Sequence, residues 1–247
     1  MHTYNILIQI VTMYYYILSM LMLLILTAII LIVVSYYRPH VLAQLWNKII
    51  DTRCDQQDIH AINGIPTYYP VELVNSVDIN MVHQSLQLYC NEVLSEVILL
   101  TKENTDSVIP ISAKTPVLKS IIDGISQLLS GSIIVCRPGV TITDISSPFR
   151  FVQRYCYALQ IPTYDVGLNL DGYDVKWEPH SGTVWDSSIR QTMWNHTKFM
   201  RIVIMVDFYR PLPLLQHIGS KLVHYLCREL LTTQLETAEL TRIKMIA

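Results

Sequence analysis

The first 37 residues contain no Asp, Glu, Lys or Arg, and residues 6–34 are almost wholly Ile, Leu, Val, Met, Ala and Tyr. The stretch also lacks the basic start, the apolar core of about 7–15 residues and the small-residue cleavage site of a secretory signal. It is too long and too uncharged for the core helix of a small soluble domain, and it exceeds the roughly 20 apolar residues that a spanning helix needs. It therefore predicts one N-terminal transmembrane helix over about residues 17–34, with Tyr14, Tyr15 and Tyr16 at one interface and Tyr36 and Tyr37 at the other. Charge is scarce elsewhere too, with 18 basic and 20 acidic side chains and a net charge of −2. No basic run and no basic stripe interleaved with aromatics is present, which excludes a nucleic-acid-binding surface. Five cysteines, Cys54, Cys90, Cys136, Cys156 and Cys227, are an odd number without paired spacing, so they read as buried thiols and not as a disulfide framework.

What remains divides into a connector over 41–80, broken by Asn63-Gly64, Pro66 and Pro70, and a domain over 81–247. Pro39 is expected to end the anchor helix of residues 1–40. Val82, Leu86, Tyr89, Val93, Leu94, Val97 and Ile98 recur at helical spacing and predict an amphipathic helix over about 80–101. Thr115-Pro116 looks like a cap followed by a first-turn proline, opening a second helix that Gly131 closes. From Ser132 the period changes: 132–136, 140–142, 151–159, 183–185 and 201–208 are short β-rich runs separated by turn residues, the pattern of a sandwich or barrel. After Pro211 and Pro213 a helix returns, with Leu215, Ile218, Leu222, Val223, Leu226, Leu230 and Leu231 expected to face inward. The fold class expected is mainly β with flanking helices behind one anchor.

The segment from Arg201 through Val206-Asp207-Phe208 to Pro211 resembles the closing strand of the aspartyl/asparaginyl β-hydroxylases, an Arg opening an apolar strand that ends in Asp, an aromatic and Pro. Trp185 to Asn195 resembles the family's Asp-Ser-Phe-x-His-x-x-Trp-Asn stretch. Arg137-Pro138-Gly139 and Gln153 to Pro162 resemble its Pro-Gly turn and its Leu-Arg-x-His strand. The resemblance covers about residues 125–213. It implies a double-stranded β-helix that in relatives holds Fe(II) and 2-oxoglutarate and hydroxylates Asp or Asn side chains. It also implies a domain outside the cytoplasm, whereas Arg38, Lys48 and Arg53 behind an uncharged start favour a cytoplasmic one. Asn195-His196-Thr197 is a formal glycosylation sequon.

On this alignment the first iron-binding His falls on Cys156 and the second on Gln191. The basic residue that helps hold 2-oxoglutarate falls on Asn169, and the His of a His-Thr-Gly-Pro turn on Ile145. Arg201 keeps the family's carboxylate-gripping identity, and pairing with Asp186 is an alternative use for it. No His-x-Asp or His-x-Glu pair exists in the chain. Asp165, His180, Asp186 and His196 are the residues that a shifted alignment could recruit, with Asp165 and His180 nearest to strand ends. A thiol and a neutral amide are poor replacements for two imidazoles at a non-haem iron. The expectation is a membrane-anchored, catalytically inactive binding or assembly module with a protein or peptide partner and the lipid bilayer. The alternatives are an active Fe(II)/2-oxoglutarate-dependent hydroxylase with an altered site, and an unrelated structural membrane protein, for which a helical bundle would replace the barrel.

Overall fold

The computed structural model describes residues 2–54, 68–70, 76–103, 105, 107–143, 146–162, 165–175, 177–227 and 243–245. The uncharged N-terminus is one helix, α1 (His2–Tyr37), about 54 Å long at 1.5 Å per residue. Within it Thr12–Leu31 is long and apolar enough to cross a membrane and is unburied by the rest of the chain. Pro39 does end α1, and it also opens a second helix, α2 (Pro39–Cys54), as a first-turn proline whose missing N–H costs nothing there. The first part of the expected connector is therefore helical. Its later residues lie outside the described ones, apart from a short strand, β1 (Tyr68–Pro70).

Two helices follow, α3 (Val77–Leu88) and α4 (Cys90–Glu103). They replace the single helix expected over about 80–101, with the break at Tyr89, whose φ of −101° and ψ of 24° lie off the helical values. β2 (Val108–Pro110) and α5 (Pro116–Ile122) come next. Thr115 makes no side-chain capping bond; instead Glu96 of α4 accepts from the amides of Val117 and Leu118 at 2.9 and 3.3 Å. This satisfies free N–H groups of the first turn and places a carboxylate at the positive end of the helix. α5 ends at Ile122 and not at Gly131, because Gly131 belongs to a strand.

Eight strands then form the domain: β3 (Leu128–Cys136), β4 (Val140–Thr143), β5 (Val152–Gln160), β6 (Val166–Leu170), β7 (Tyr173–Val175), β8 (Gly182–Asp186), β9 (Gln191–Asn195) and β10 (Arg201–Tyr209). After them come α6 (Leu214–Leu226) and a last strand, β11 (Ile243–Met245). One sheet has the order β1-β8-β5-β10-β3-β2 and the other β11-β4-β9-β6-β7. All pairings are antiparallel, and consecutive strands β3 to β10 fall alternately to the two sheets apart from the β6–β7 hairpin. The strand order is that of a double-stranded β-helix, with both Greek keys closed. The helical-bundle alternative is thereby excluded. Asp171 and Gly172, both at positive φ, make the two-residue β6–β7 turn, as a right-twisted hairpin requires.

Three apolar layers hold the elements. Ile134, Cys136, Cys156, Leu168, Leu170, Trp185, Met193, Val203 and Met205 fill the space between the sheets. α3, α4 and α5 cover the outer face of the larger sheet through Val82, Leu86, Val93, Val97 and Leu118 against Tyr155, Tyr157, Ile202 and Ile204. β10 is consequently buried at all nine positions, which is why its centre, residues 202–206, reads as an unbroken apolar run. The third layer joins α1 and α2 to the barrel: Leu42 and Ile50 of α2 and Val223 of α6 pack with Phe149, Phe151 and Tyr209, and Leu31 and Val34 of α1 rest on them. Asn47 donates to Pro148 O at 2.8 Å and accepts from Arg150 N at 3.0 Å. The apolar helix α1 is thus followed by a helix clamped to the domain.

α6 meets its expectation only in part: Val223 and Leu226 pack inward, and Leu230 and Leu231 lie outside the described residues. Leu215, Ile218 and Leu222 are exposed, and the side turned inward carries Gly219, Ser220, Val223 and Cys227. The reason is Trp46 of α2, whose ring lies on Gly219 and whose Nε1 donates to Ser220 Oγ at 3.0 Å. A Cβ at Gly219 would stand 2.1 Å from that ring. Gly219→Ala should therefore lower stability by about 1–3 kcal/mol through overpacking. The added change Trp46→Leu should recover part of the loss, both read as thermal unfolding of the full chain in detergent.

Candidate functional site

Strand alternation decides which side chains enter the barrel. On β5 the even positions Arg154 and Cys156 point inward, on β10 the odd positions Arg201, Val203, Met205 and Asp207, and on β9 the odd positions Gln191, Met193 and Asn195. Cys156, Gln191 and Arg201 therefore share one interior, all at most 1% exposed. Asn169 does not join them: it lies on the outer face of β6, donating to Asp174 Oδ1 at 2.8 Å and accepting from Gly172 N at 2.7 Å, where it shapes the hairpin turn. Ile145 lies outside the described residues.

The interior is more heavily charged than the alignment suggests. Arg154 donates from Nε and Nη2 to the two carboxylate oxygens of Asp207, both at 2.7 Å, and from Nη1 to Gln191 Oε1 at 3.2 Å. Asp207 stands opposite Arg154 in the β10–β5 register. Burial opposes the charge on Arg154, and the Asp207 carboxylate more than offsets this, so its pKa is raised. Arg210 donates to Asp186 Oδ2 at 2.8 Å, while Asp186 Oδ1 accepts from the amide and hydroxyl of Ser188 at 2.9 and 2.7 Å. The partner of Asp186 is thus Arg210, and the expected alternative pairing with Arg201 does not form.

Arg201 has no carboxylate partner among the described residues. Its Nη1 donates to the carbonyls of Gly167 and Trp194, and its guanidinium lies 4.8 Å from the Trp177 ring centre. Its Nε and Nη2 are buried without a partner, as are the indole Nε1 atoms of Trp177 and Trp185. Trp177 and Trp185 meet edge to face with ring centres 6.3 Å apart. Burial lowers the Arg201 pKa to about 10. Cys156 lies within the fields of Arg154 and Arg201, but burial outweighs both cations and pushes its thiol far up. It is a neutral core thiol, as are the buried Cys136, raised to about 11 by burial, and Cys227.

The residues that a shifted alignment could recruit are elsewhere. His180 Nδ1 is 3.3 Å from Cys90 Sγ and 3.3 Å from the Tyr157 hydroxyl, at an exposed position beside α4. His196 Nδ1 is 3.2 Å from Asp165 Oδ1 at the surface. No group of three His, Cys, Asp or Glu among the described residues converges on one point. Asn195 of the sequon is fully buried, donating to Cys136 O at 2.8 Å and Phe199 O at 2.7 Å, and so is no acceptor for a glycan in the folded domain.

Residues 92–211 match the family model described as aspartyl/asparaginyl beta-hydroxylase. Over these residues the barrel is similar to that family. The chain is also similar to ornithine lipid ester-linked acyl 2-hydroxylase from Rhizobium tropici, 26% identical over 90 residues, which are 36% of this chain and 32% of that protein. It spans about a third of the length of that curated relative. Among solved structures, a prolyl hydroxylase from Trichoplax adhaerens in complex with a hypoxia inducible factor peptide fragment aligns at 16% identity with a TM-score of 0.39, over 53% of this chain and 88% of that one. EctD from S. alaskensis, with 2-oxoglutarate and 5-hydroxyectoine, aligns at 10% identity with a TM-score of 0.37, over 57% and 71%.

Against the family's two imidazoles, the hydroxylase-like barrel presents a neutral thiol and an amide whose oxygen accepts from a guanidinium. A divalent cation placed between Cys156 and Gln191 would meet Arg154 as a like charge in a low-dielectric interior, so these residues do not fit iron. Arg154 and Asp207 have no role in the sequence analysis above, and the signal that marks them is two opposite charges at inward positions of neighbouring apolar strands. Arg154→Met leaves Asp207 buried without its cation and should cost about 3–5 kcal/mol. Arg154→Met with Asp207→Leu should recover most of that, measured by denaturant unfolding; a single-variant cost below about 1 kcal/mol would mean that the pair is solvated.

Proposed function

We propose that the chain is a single-pass membrane protein whose hydroxylase-like barrel works as a binding or assembly module and not as an iron-dependent hydroxylase. The observation that carries this reading is the Arg154 guanidinium bonded to Gln191 at one of the family's two iron-binding positions. The charge network is complete without a metal, since Asp207 already neutralises the cation.

The other half of the family's site keeps a use. Arg201 Nε and Nη2 and the indole nitrogens of Trp177 and Trp185 are four buried donors without an acceptor. Unsatisfied buried donors cost about 1–3 kcal/mol each, more for a charged group, and an oxygen-rich anion removes that cost. A carboxylate is the group that a guanidinium edge matches best. The ligand would be a 2-oxoglutarate-type dicarboxylate or an acidic side chain of a protein or peptide partner, held as a bound group with no chemistry done on it.

The test is calorimetric titration of the full chain in detergent micelles, without oxygen, using Mn(II) and 2-oxoglutarate separately and together. The expected result is no saturable Mn(II) binding and saturable 2-oxoglutarate binding. Arg201→Met should weaken the latter about 10- to 100-fold, since bonds to a charged group are worth roughly 1.5–3 kcal/mol. Arg201 is a base whose folded pKa, about 10, lies well below its ordinary value, so its burial destabilises the unliganded fold below pH 10 and is relieved above it. Ligand affinity should accordingly fall as pH rises through about 10. Metal binding that Cys156→Ala or Gln191→Ala abolishes would overturn the proposal in favour of an active oxygenase.

A further inference from the structure

α6 has two unlike sides. One is docked: Gly219 and Ser220 sit under Trp46, and Val223 and Leu226 belong to the layer that Leu31 and Val34 of α1 complete. The other is apolar and bare. Leu215 is 79% exposed, Ile218 54%, Leu222 50% and Tyr225 67%, at spacings of three and four residues that align them along one face. Leu214 extends the row at the start of the helix, and α2 alongside exposes Leu45 and Ile49.

The height of this face relative to a bilayer follows from its neighbours. The candidate span is Thr12–Leu31, and Leu31 itself is one of the residues packed on the layer that holds α6. α6 is therefore held where α1 leaves the hydrocarbon, so the surface next to its bare side is the membrane–water boundary. The helix suits that place by composition. It carries Lys221, His217 and His224 and no acidic residue, and Tyr225 has the apolar body and polar tip favoured at that depth. The Lys221 ammonium lies 5.7 Å from the Tyr209 ring centre, at the side of the helix between barrel and bare face.

Resting on the reading of α1 as a span, we propose that α6 is an interfacial helix, lying in the lipid headgroup region of the membrane that α1 enters, with Leu215, Ile218, Leu222 and Tyr225 toward the acyl chains. The barrel then lies against the bilayer at two points, the anchor and α6, and does not swing from one.

The test uses the full chain carrying benzoylphenylalanine at position 218 or 222, reconstituted in vesicles of phosphatidylcholine and phosphatidylglycerol and irradiated. Position 21 in α1 is the control for the span and exposed position 174 the control for water. Both α6 positions are exposed, so the probe leaves the packing intact. Lipid adducts at 218 and 222 comparable with those at 21, and about tenfold above those at 174, are the expected result. Adducts at 21 without adducts at 218 and 222 would overturn the interfacial helix and leave the span standing. Cross-links between two copies at 218 or 222 would overturn it in favour of a self-interface. Absence of lipid adducts at 21 would remove the span and the proposal with it.

Discussion

A closed barrel that holds guanidinium groups must supply oxygen to each of them, because an unpaired charge inside apolar walls is among the costliest features a fold can carry. This barrel meets the demand unequally. Arg154 faces both oxygens of Asp207 across the β5–β10 pair and reaches a third oxygen on β9. That arrangement ties the centre of the larger sheet to the smaller sheet, so it also sets how the two sheets close. Arg201, at the far end of the same strand, receives only two carbonyl oxygens and an aromatic face. The interior therefore has a finished end and an unfinished end. The finished end includes Gln191 and the unfinished end Arg201, the positions to which the resemblance assigns an imidazole and a carboxylate-gripping arginine.

The legible parts of the fold were those whose physical signal is strong over several residues. The uncharged run of α1, the helical period over 80–101 and the apolar runs that became β3, β5 and β10 all stood out because each is buried over a long face or, for α1, bare of charge. β6, β7 and β9 did not. They are three to five residues long, one of their faces meets solvent, and Asn169, Asp174 and Thr192 on that face look like turn chemistry. Their alternation is too short to separate from a loop. The resemblance to the hydroxylases was carried by residues on inward-facing strand positions, and Cys156, Gln191 and Arg201 share the barrel interior. Asn169 lies on the outer face of β6, and a one-residue step along a strand exchanges inside for outside.

α6 shows a different limit. Its apolar row reads as a core-facing stripe, since helical periodicity reports that one side is apolar without saying what that side meets. Here small residues on the opposite side, Gly219 and Ser220, allow the close approach to α2, and close approach won over the larger side chains. The same competition explains why α2 became a helix in a stretch that otherwise resembles a linker: Trp46 and Asn47 have specific seats on the domain.

The buried amide of Asn195 has a consequence for the life history of the molecule. Of its four hydrogen bonds, two given and two taken, three lie within the 195–199 turn, and the fourth, to Cys136 O of β3, exists only once the strands have assembled around it. Before that moment the Asn195 side chain is open to solvent; afterwards it is sealed. Sugar found at this position would be a time stamp, marking chains whose smaller sheet assembled late, and the sugar-free fraction would count those that closed promptly.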